Sequence, residues 1–176
     1  MKCAYVWIKW IIGLIAVAVL LAGLFVKSGV YNCATTYPDP APVAWVLDQT
    51  MTHSVQRHAA GIKVPPLGDP EMVNSGFTHY RQMCAGCHGA PGVSMAAMFK
   101  GLNPAPPKLV ESVTDWKPNE LFWIAKNGVR MTAMPGFGAS HSDQVIWDIV
   151  AFLEKLPSLT PEQYKSLDRQ VPAMRD

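Results

Sequence analysis

The chain has 176 residues, which is enough for one domain with additions and too few for two full domains. Apolar residues make up 49% of the sequence and charged residues 16%, and the apolar excess is concentrated near the N-terminus. Three of the 15 basic residues flank that apolar run. The rest of the chain therefore has 12 basic residues against the 13 acidic ones. This balance argues against a nucleic-acid partner, which would need a clustered basic face.

An uncharged run from Trp10 to Val26 predicts a helix about 25 Å long. With the apolar residues beside it, this helix can cross a hydrocarbon core of about 30 Å, so residues 1–31 are predicted to be a single-pass transmembrane anchor. Lys2, Lys9 and the amino terminus outweigh Lys27, and the positive-inside rule therefore places the N-terminus in the cytoplasm. The alternative is a cleaved signal peptide, but the run is long for one and no A-x-A-like site follows it. Both interpretations deliver the rest of the chain to the periplasmic side of the inner (cytoplasmic) membrane.

Residues 32–70 are predicted to be a proline-rich linker that carries one extra periplasmic helix. Apolar residues recur at helical spacing between residues 43 and 60. His53 and His58 lie in this helix five positions apart, which does not place them on one face for a metal ion. We therefore expect both to be solvated histidines.

The four cysteines divide into two pairs with different surroundings. Cys3 and Cys33 lie on opposite sides of the apolar run, so they cannot pair with each other. Cys33 lacks the small preceding residues of a lipobox and is predicted to be a free or an intermolecular thiol. The other two, Cys84 and Cys87, belong to the stretch Cys-Ala-Gly-Cys-His, which ends at His88.

The spacing C-x-x-C-H is typical of a covalent attachment site for haem c. Two thiols about one helical turn apart can reach the two vinyl groups of one porphyrin, and the next residue, His88, can offer a ring nitrogen to the iron. Redox dithiols and half-sites for zinc also contain C-x-x-C. His88 disfavours the dithiol, and the sequence has no second C-x-x-C or H-x-x-x-H for zinc. We therefore predict one haem, covalently bound through thioether bonds to Cys84 and Cys87, with His88 as an axial ligand of its iron.

Further helices are predicted around this motif. Gly76 lies within the first of them, at a position where a second helix near Trp147 can approach closely. A proline-rich loop can present the carbonyl of Pro106 or Pro107 to the second ring nitrogen of His88; the alternative role of these prolines is a rigid connection. The predicted helices run from Glu71 to the haem motif, from Pro118 to Lys126, from Gln144 to Leu156, and onward from a capping box at Thr160–Gln163.

Methionine is the expected second axial ligand, because a thioether is a soft, neutral donor that favours ferrous iron. Of the nine methionines, Met131 and Met134 lie in a loop bounded by glycine and proline. Pro135 stiffens the backbone at Met134 and limits the entropy cost of ligation. Met134 is therefore the predicted ligand, with Met131 as the alternative; Met134 could also simply fill the core.

Residues 71–157 resemble a class I cytochrome c of bacterial type. The resemblance consists of a helix ending in C-x-x-C-H, a proline-bearing loop, a helix closed by Asn127-Gly128, a Met-Pro-Gly-Phe loop that begins at Met134, and a last helix carrying Trp147. It implies an all-α haem domain whose first and last helices cross, and a function in one-electron transfer. Residues 158–176 are predicted to form a C-terminal tail helix.

The predicted function is that of a membrane-anchored monohaem electron carrier, not an enzyme, between respiratory or dehydrogenase partners in the periplasm. Its expected partners are a membrane-bound redox protein donor and acceptor, and membrane lipid around residues 10–26. The alternative is an obligate subunit of a larger membrane oxidoreductase complex. A peroxidase or gas sensor would need an open iron site and a polar distal group such as His141, and the loop at Met134 argues against it.

Overall fold

The computed structural model describes residues 2–170, with side chains from residue 5 onward. Within this range the regular elements are helices, apart from an isolated bridge between Ala90 and Val93, so the predicted all-α class is confirmed. The α-helices are α1 (Lys2–Ser28), α2 (Ala41–Ala59), α3 (Pro70–Met83), α4 (Ala85–His88), α5 (Leu109–Ser112), α6 (Pro118–Asn127), α7 (Asp143–Leu153) and α8 (Pro161–Gln170). The end of the predicted tail, residues 171–176, lies outside the described residues, as do the amino terminus and the side chains of Lys2 and Cys3.

The chain divides into two units after Tyr37. The first contains α1, in which the stretch from Tyr5 to Ser28 reaches a mean hydropathy of 2.5 over an 18-residue window with no buried part. A helix of these 24 residues measures about 36 Å, which is sufficient for a hydrocarbon core of about 30 Å. Length and composition are compatible with either a membrane span or a signal sequence. The predicted domain boundaries after residues 31, 70 and 157 stay predictions.

The second unit is built on the crossing of α3 and α7. Asp69 begins α3 by accepting a hydrogen bond from the Glu71 backbone N–H at 2.9 Å. A Cβ atom at Gly76 would overlap the backbone oxygen of Asp148 and lie 2.9 Å from Phe152 Cβ. The predicted close approach at Gly76 is therefore confirmed, and the residue that meets it is Asp148, the neighbour of Trp147.

The last helices close this unit on α3. Helix α7 ends at Leu153 and a 3₁₀ turn, Leu156–Ser158, follows, so the predicted helix to Leu156 is too long. The reason is Pro157, which lacks the N–H that a continuing helix would need. Helix α8 begins with the predicted capping box, in which Thr160 and Gln163 exchange hydrogen bonds of 2.8 and 3.2 Å. Its Tyr164 ring packs edge-on against Phe77 of α3 at 5.4 Å.

Helix α2 packs through its C-terminal half against α6. Val55 and Ala59 are buried, and the Asn119 side chain donates a hydrogen bond of 2.8 Å to the Ala59 carbonyl. His53 is exposed, as predicted. His58 is exposed too, but its ring stacks on Trp123 with centroids 5.7 Å apart, a contact that its position in the sequence did not indicate.

Substitution of Gly76 by alanine tests the helix crossing. Alanine favours a helix by up to about 1 kcal/mol over glycine, yet we expect Gly76→Ala to lower the free energy of unfolding by about 2–3 kcal/mol, because α3 and α7 must move apart. The midpoint of urea unfolding, followed by helical circular dichroism, measures this change. Gly61→Ala is the control, since no atom lies within 4 Å of a Cβ added there. An equal midpoint for the two variants would show that the crossing carries no such constraint.

Candidate functional site

The C-x-x-C-H motif occupies the single turn that follows α3. The Cys84 N–H continues the α3 pattern by donating to the Tyr80 carbonyl at 2.9 Å. The Cys84 carbonyl in turn accepts hydrogen bonds from the backbone N–H groups of Cys87 at 3.1 Å and His88 at 2.9 Å. One turn therefore presents all three side chains, and neither Cys84 nor Cys87 forms a disulfide.

The environment of Cys84 differs from that of a reactive dithiol. Its side chain is buried, and this burial, with a further contribution from Cys87, raises the pKa of Cys84 to about 12. Because the thiolate is the nucleophile in thiol–disulfide exchange, a protonated thiol at neutral pH is poorly suited to that chemistry. The structure thus adds to the argument from His88 against a redox dithiol.

The imidazole of His88 is held in one orientation. Its Nδ1 lies 2.7 Å from the carbonyl oxygen of Pro107, which confirms the predicted proline carbonyl and selects Pro107 over Pro106. A carbonyl only accepts, so Nδ1 carries the proton and Nε2 keeps its lone pair. Burial lowers the pKa of His88, and the bond to Pro107 opposes this less strongly, so the neutral ring is favoured. A neutral imidazole with a fixed tautomer is the form that binds a metal ion.

Tyr80 ties the end of α3 to the residue that follows the motif. Its side chain is fully buried, and its hydroxyl donates a hydrogen bond of 2.6 Å to the Gly89 carbonyl. Gly89 has a φ of 68°, and a Cβ atom there would lie 2.7 Å from the Val93 carbonyl oxygen. The sequence analysis missed this role of Tyr80. The available signal was a tyrosine one turn before the motif, because a buried tyrosine hydroxyl needs a partner.

The loop that carries Met134 is closed by its own hydrogen bonds. The Val129 N–H donates to the Met134 carbonyl at 3.2 Å. The Thr132 hydroxyl donates to the Val129 carbonyl at 2.7 Å and accepts from the Met134 N–H at 3.0 Å. Sequence analysis missed Thr132 as well, although threonine two residues before a turn position commonly makes such bonds.

This loop also packs directly on the end of α6. Gly128 has a φ of 70°, and a Cβ atom there would lie 2.7 Å from the Met134 carbonyl oxygen. A Cβ atom at Gly136 would lie 2.8 Å from the carbonyl oxygen of Asn127. Met134 is half-buried in this loop, whereas the Met131 side chain is 76% exposed. The two methionines that the sequence left as candidates therefore differ clearly in environment.

The remaining residues of interest lie elsewhere. Cys33 is exposed and belongs to the first unit. His141, which the enzyme alternative would use as a distal group, lies beside His79, with ring centroids 6.3 Å apart. Its Nδ1 is 2.8 Å from the Ser140 hydroxyl.

The donor set fits haem c. Two uncombined thiols lie on one turn, the adjoining imidazole is neutral with its Nε2 lone pair available, and a thioether is carried by a closed loop. This combination, within an all-helical unit, defines a c-type cytochrome domain.

Comparison with protein families agrees with this class. Residues 71–153 match the family described as Cytochrome C oxidase, cbb3-type, subunit III, and the chain carries a cytochrome c domain of this family. The match runs from the first turn of α3 to the last residue of α7, and an N-terminal apolar helix and α2 precede it. The predicted resemblance is therefore confirmed; proteins of the cytochrome c family are typically electron carriers. Comparison with curated proteins finds no match for the chain.

Replacing Tyr80 by phenylalanine tests the bond behind the motif. We expect Tyr80→Phe to lower the free energy of unfolding by about 1–3 kcal/mol, because the Gly89 carbonyl loses its partner. Tyr164→Phe is the matched control: this buried ring packs on Phe77 as that of Tyr80 packs on Phe152, but its hydroxyl has no hydrogen bond within the part of the chain that the structure describes. Equal unfolding midpoints for both variants in urea would contradict the assignment.

A dependence on pH accompanies this bond. Burial raises the pKa of Tyr80 above its usual value of about 10. The unfolded chain then loses this phenol proton at lower pH than the folded chain, so the stability contribution is complete below about pH 10 and declines above it. We expect Tyr80→Phe to show a shallower loss of stability above pH 10 than the unmutated protein.

Proposed function

We propose that this protein is a membrane-anchored monohaem c-type cytochrome that carries single electrons between redox partners on the periplasmic side. The observation that carries the proposal is the turn that presents Cys84, Cys87 and His88 together, with His88 braced by the Pro107 carbonyl. In this proposal the two thiols hold the porphyrin as thioethers and His88 Nε2 is an axial ligand. When bound, haem c supplies a one-electron ferric–ferrous couple.

Met134 is the proposed second axial ligand. Its backbone is fixed by hydrogen bonds with Val129 and Thr132. The Met134 residue therefore loses little conformational freedom when its side chain binds iron. The side chain of Met131, by contrast, is exposed to solvent. A thioether at that position favours ferrous iron and raises the reduction potential.

The surrounding protein is suited to an electron carrier because its supporting groups are rigid. Pro107 holds the imidazole of His88, and the Phe122 and Trp147 rings stack with centroids 4.1 Å apart and planes 15° from parallel. If both axial ligands stay attached in both oxidation states, the chain has little to rearrange on each transfer. The same closed site disfavours a peroxidase or gas sensor, which would need a vacant iron position.

Substitution of the two loop methionines tests the proposed ligand. We expect Met134→Ala to abolish the methionine–ferric charge-transfer band and to let the ferrous protein bind carbon monoxide. Met131→Ala, the control, should keep the band and stay indifferent to carbon monoxide, because this side chain is 76% exposed. Visible spectra of the oxidised and reduced proteins decide the matter. Carbon monoxide binding by the unmutated protein would contradict the assignment of Met134 as an iron ligand and would favour a peroxidase or a gas sensor.

We also propose that α1 is an uncleaved anchor with its N-terminus in the cytoplasm. Its apolar stretch is long enough to span a membrane, and Lys2 and Lys9 precede the uncharged run from Trp10 to Val26, which supports this orientation. Membrane lipid around residues 10–26 is then a permanent partner.

Fractionation of cells that express the full chain tests the anchor. We expect the haem protein to stay in the membrane after high-salt and alkaline washes, and N-terminal sequencing to begin before Trp10. The control places a cleavable secretion signal before residue 38, which should release a soluble haem protein into the periplasm. A soluble product of the full-length chain whose sequence begins after Ser28 would instead identify α1 as a signal sequence.

A fixed subunit of a larger membrane oxidoreductase is the second candidate. Two observations favour it: the matched family is described as an oxidase subunit, and the first half of α2 exposes Val43, Trp45 and Val46. Mild detergent extraction distinguishes the two functions. A carrier should leave the membrane without a stoichiometric partner, whereas an obligate subunit should copurify with one.

A further inference from the structure

Two histidines that the proposed electron-transfer site does not use lie next to each other. His79 is in α3 and His141 comes two residues before α7, and their ring centroids are 6.3 Å apart with planes at 89°. Both side chains are half-buried, so each ring is partly fixed and partly open to solvent. Sixty-two positions separate them in the sequence, so only the fold brings them together.

The structure fixes the tautomer of His79. Its Nδ1 lies 2.9 Å from the backbone carbonyl of Ser75, which only accepts a hydrogen bond. Nδ1 of the neutral ring therefore carries the proton, and Nε2 carries the lone pair. A histidine that donates one ring N–H to a carbonyl and offers the other nitrogen is the usual arrangement of a metal ligand.

The surroundings of His141 allow the same tautomer. Its Nδ1 lies 2.8 Å from the Ser140 hydroxyl, and that hydroxyl also lies 3.4 Å from the Phe137 carbonyl. When the hydroxyl donates to that carbonyl, its oxygen accepts from His141 Nδ1, and the Nε2 lone pair is then left for a metal ion. Within residues 5–170 no hydrogen bond engages Nε2 of either His79 or His141.

The separation of the rings agrees with coordination to one ion. A metal–nitrogen bond of about 2.0–2.1 Å places an imidazole centroid about 3.2 Å from the ion, so two such rings have centroids about 4.5–6.4 Å apart. The observed 6.3 Å lies at the wide end of this range, which corresponds to nearly opposite positions on the ion. Opposite positions are available in the tetragonal geometry of copper(II).

The ring of His79 is also carried by a rigid part of the fold. His79 lies one turn beyond the Gly76–Asp148 contact of α3 with α7. Ser75, whose carbonyl holds His79, donates its hydroxyl to Asp148 at 2.6 Å, so the support of this ring is itself fixed to α7. A ligand held in place before the ion arrives loses less conformational entropy on binding.

We propose that His79 and His141 form a two-imidazole site for a divalent transition-metal ion, with copper(II) bound most tightly. Copper(II) stands highest among the first-row divalent ions for nitrogen ligands, and imidazole is a preferred donor for it. No group of three or more His, Cys, Asp and Glu side chains suited to a metal ion occurs among the described residues, so water would fill the remaining positions. This site is separate from the haem ligands and stands whether or not Met134 binds iron.

Copper(II) titration of the full-length ferric haem protein in detergent tests the proposal. The ferric state prevents electron transfer from iron to copper, and Cys3→Ser with Cys33→Ser in every protein removes the two thiols outside the motif, which copper(II) would oxidise. We expect His79→Gln and His141→Gln each to weaken copper(II) binding at least tenfold by calorimetry. His58→Gln is the matched control, since Nδ1 of His58 is likewise held by a carbonyl, 2.7 Å away at Ser54, but no histidine lies beside that ring.

Electron paramagnetic resonance of the same cysteine-substituted protein, with both histidines intact, identifies the ligands of copper(II) independently of the histidine variants. The copper(II) signal should show coupling to two imidazole nitrogens, and this spectrum decides the matter even where a variant fails to fold. Coupling to a single nitrogen would overturn the proposal. So would unchanged binding in either His79→Gln or His141→Gln, or an equal loss in His58→Gln.

Discussion

The close contact between α3 and α7 is the constraint on which the haem-binding part of the molecule depends. With Gly76 against the backbone of Asp148, the two helices approach at a distance that no larger residue would permit. The C-x-x-C-H turn follows directly from α3, so the position of α3 determines where both thiols and His88 are presented. Asp148 is almost fully buried at this contact, and its carboxylate accepts from Ser75 at 2.6 Å and Gln144 at 2.8 Å. These bonds make its burial tolerable.

Backbone carbonyl groups fix two side chains around the motif. His88 is oriented by the Pro107 carbonyl, and Tyr80 joins the two sides of the motif through Gly89. Such bonds set the tautomer and the ring direction before any cofactor is attached. They explain why the short helix α4 can present its side chains in a defined way, although four residues have little helical stability of their own.

The sequence predicted those features that depend on local chemistry. The helix starts at Pro118 and Thr160 and the motif turn each follow from residues within about one turn of one another. The close approach at Gly76 joins residues 72 positions apart, and its only local signal is a glycine within a helix. The bonds from Thr132 within the methionine loop depend equally on near neighbours and could have been found. The contacts of α2 with α6 and of His79 with His141 join residues about 60 positions apart, and no periodic pattern encodes which exposed side chains will meet.

The packing of α2 on α6 links α2 to the methionine loop. Asn119 and Trp123 of α6 contact α2 at Ala59 and His58, and the far end of α6 supports Met134 through Gly128. Helix α6 has only 10 residues, so it extends about 15 Å and cannot bend much between these contacts. A partner that displaces α2 by binding its exposed first half would therefore also displace α6, the helix that supports Met134. This arrangement gives a fixed subunit, more than a freely diffusing carrier, a structural path by which assembly could alter the haem environment.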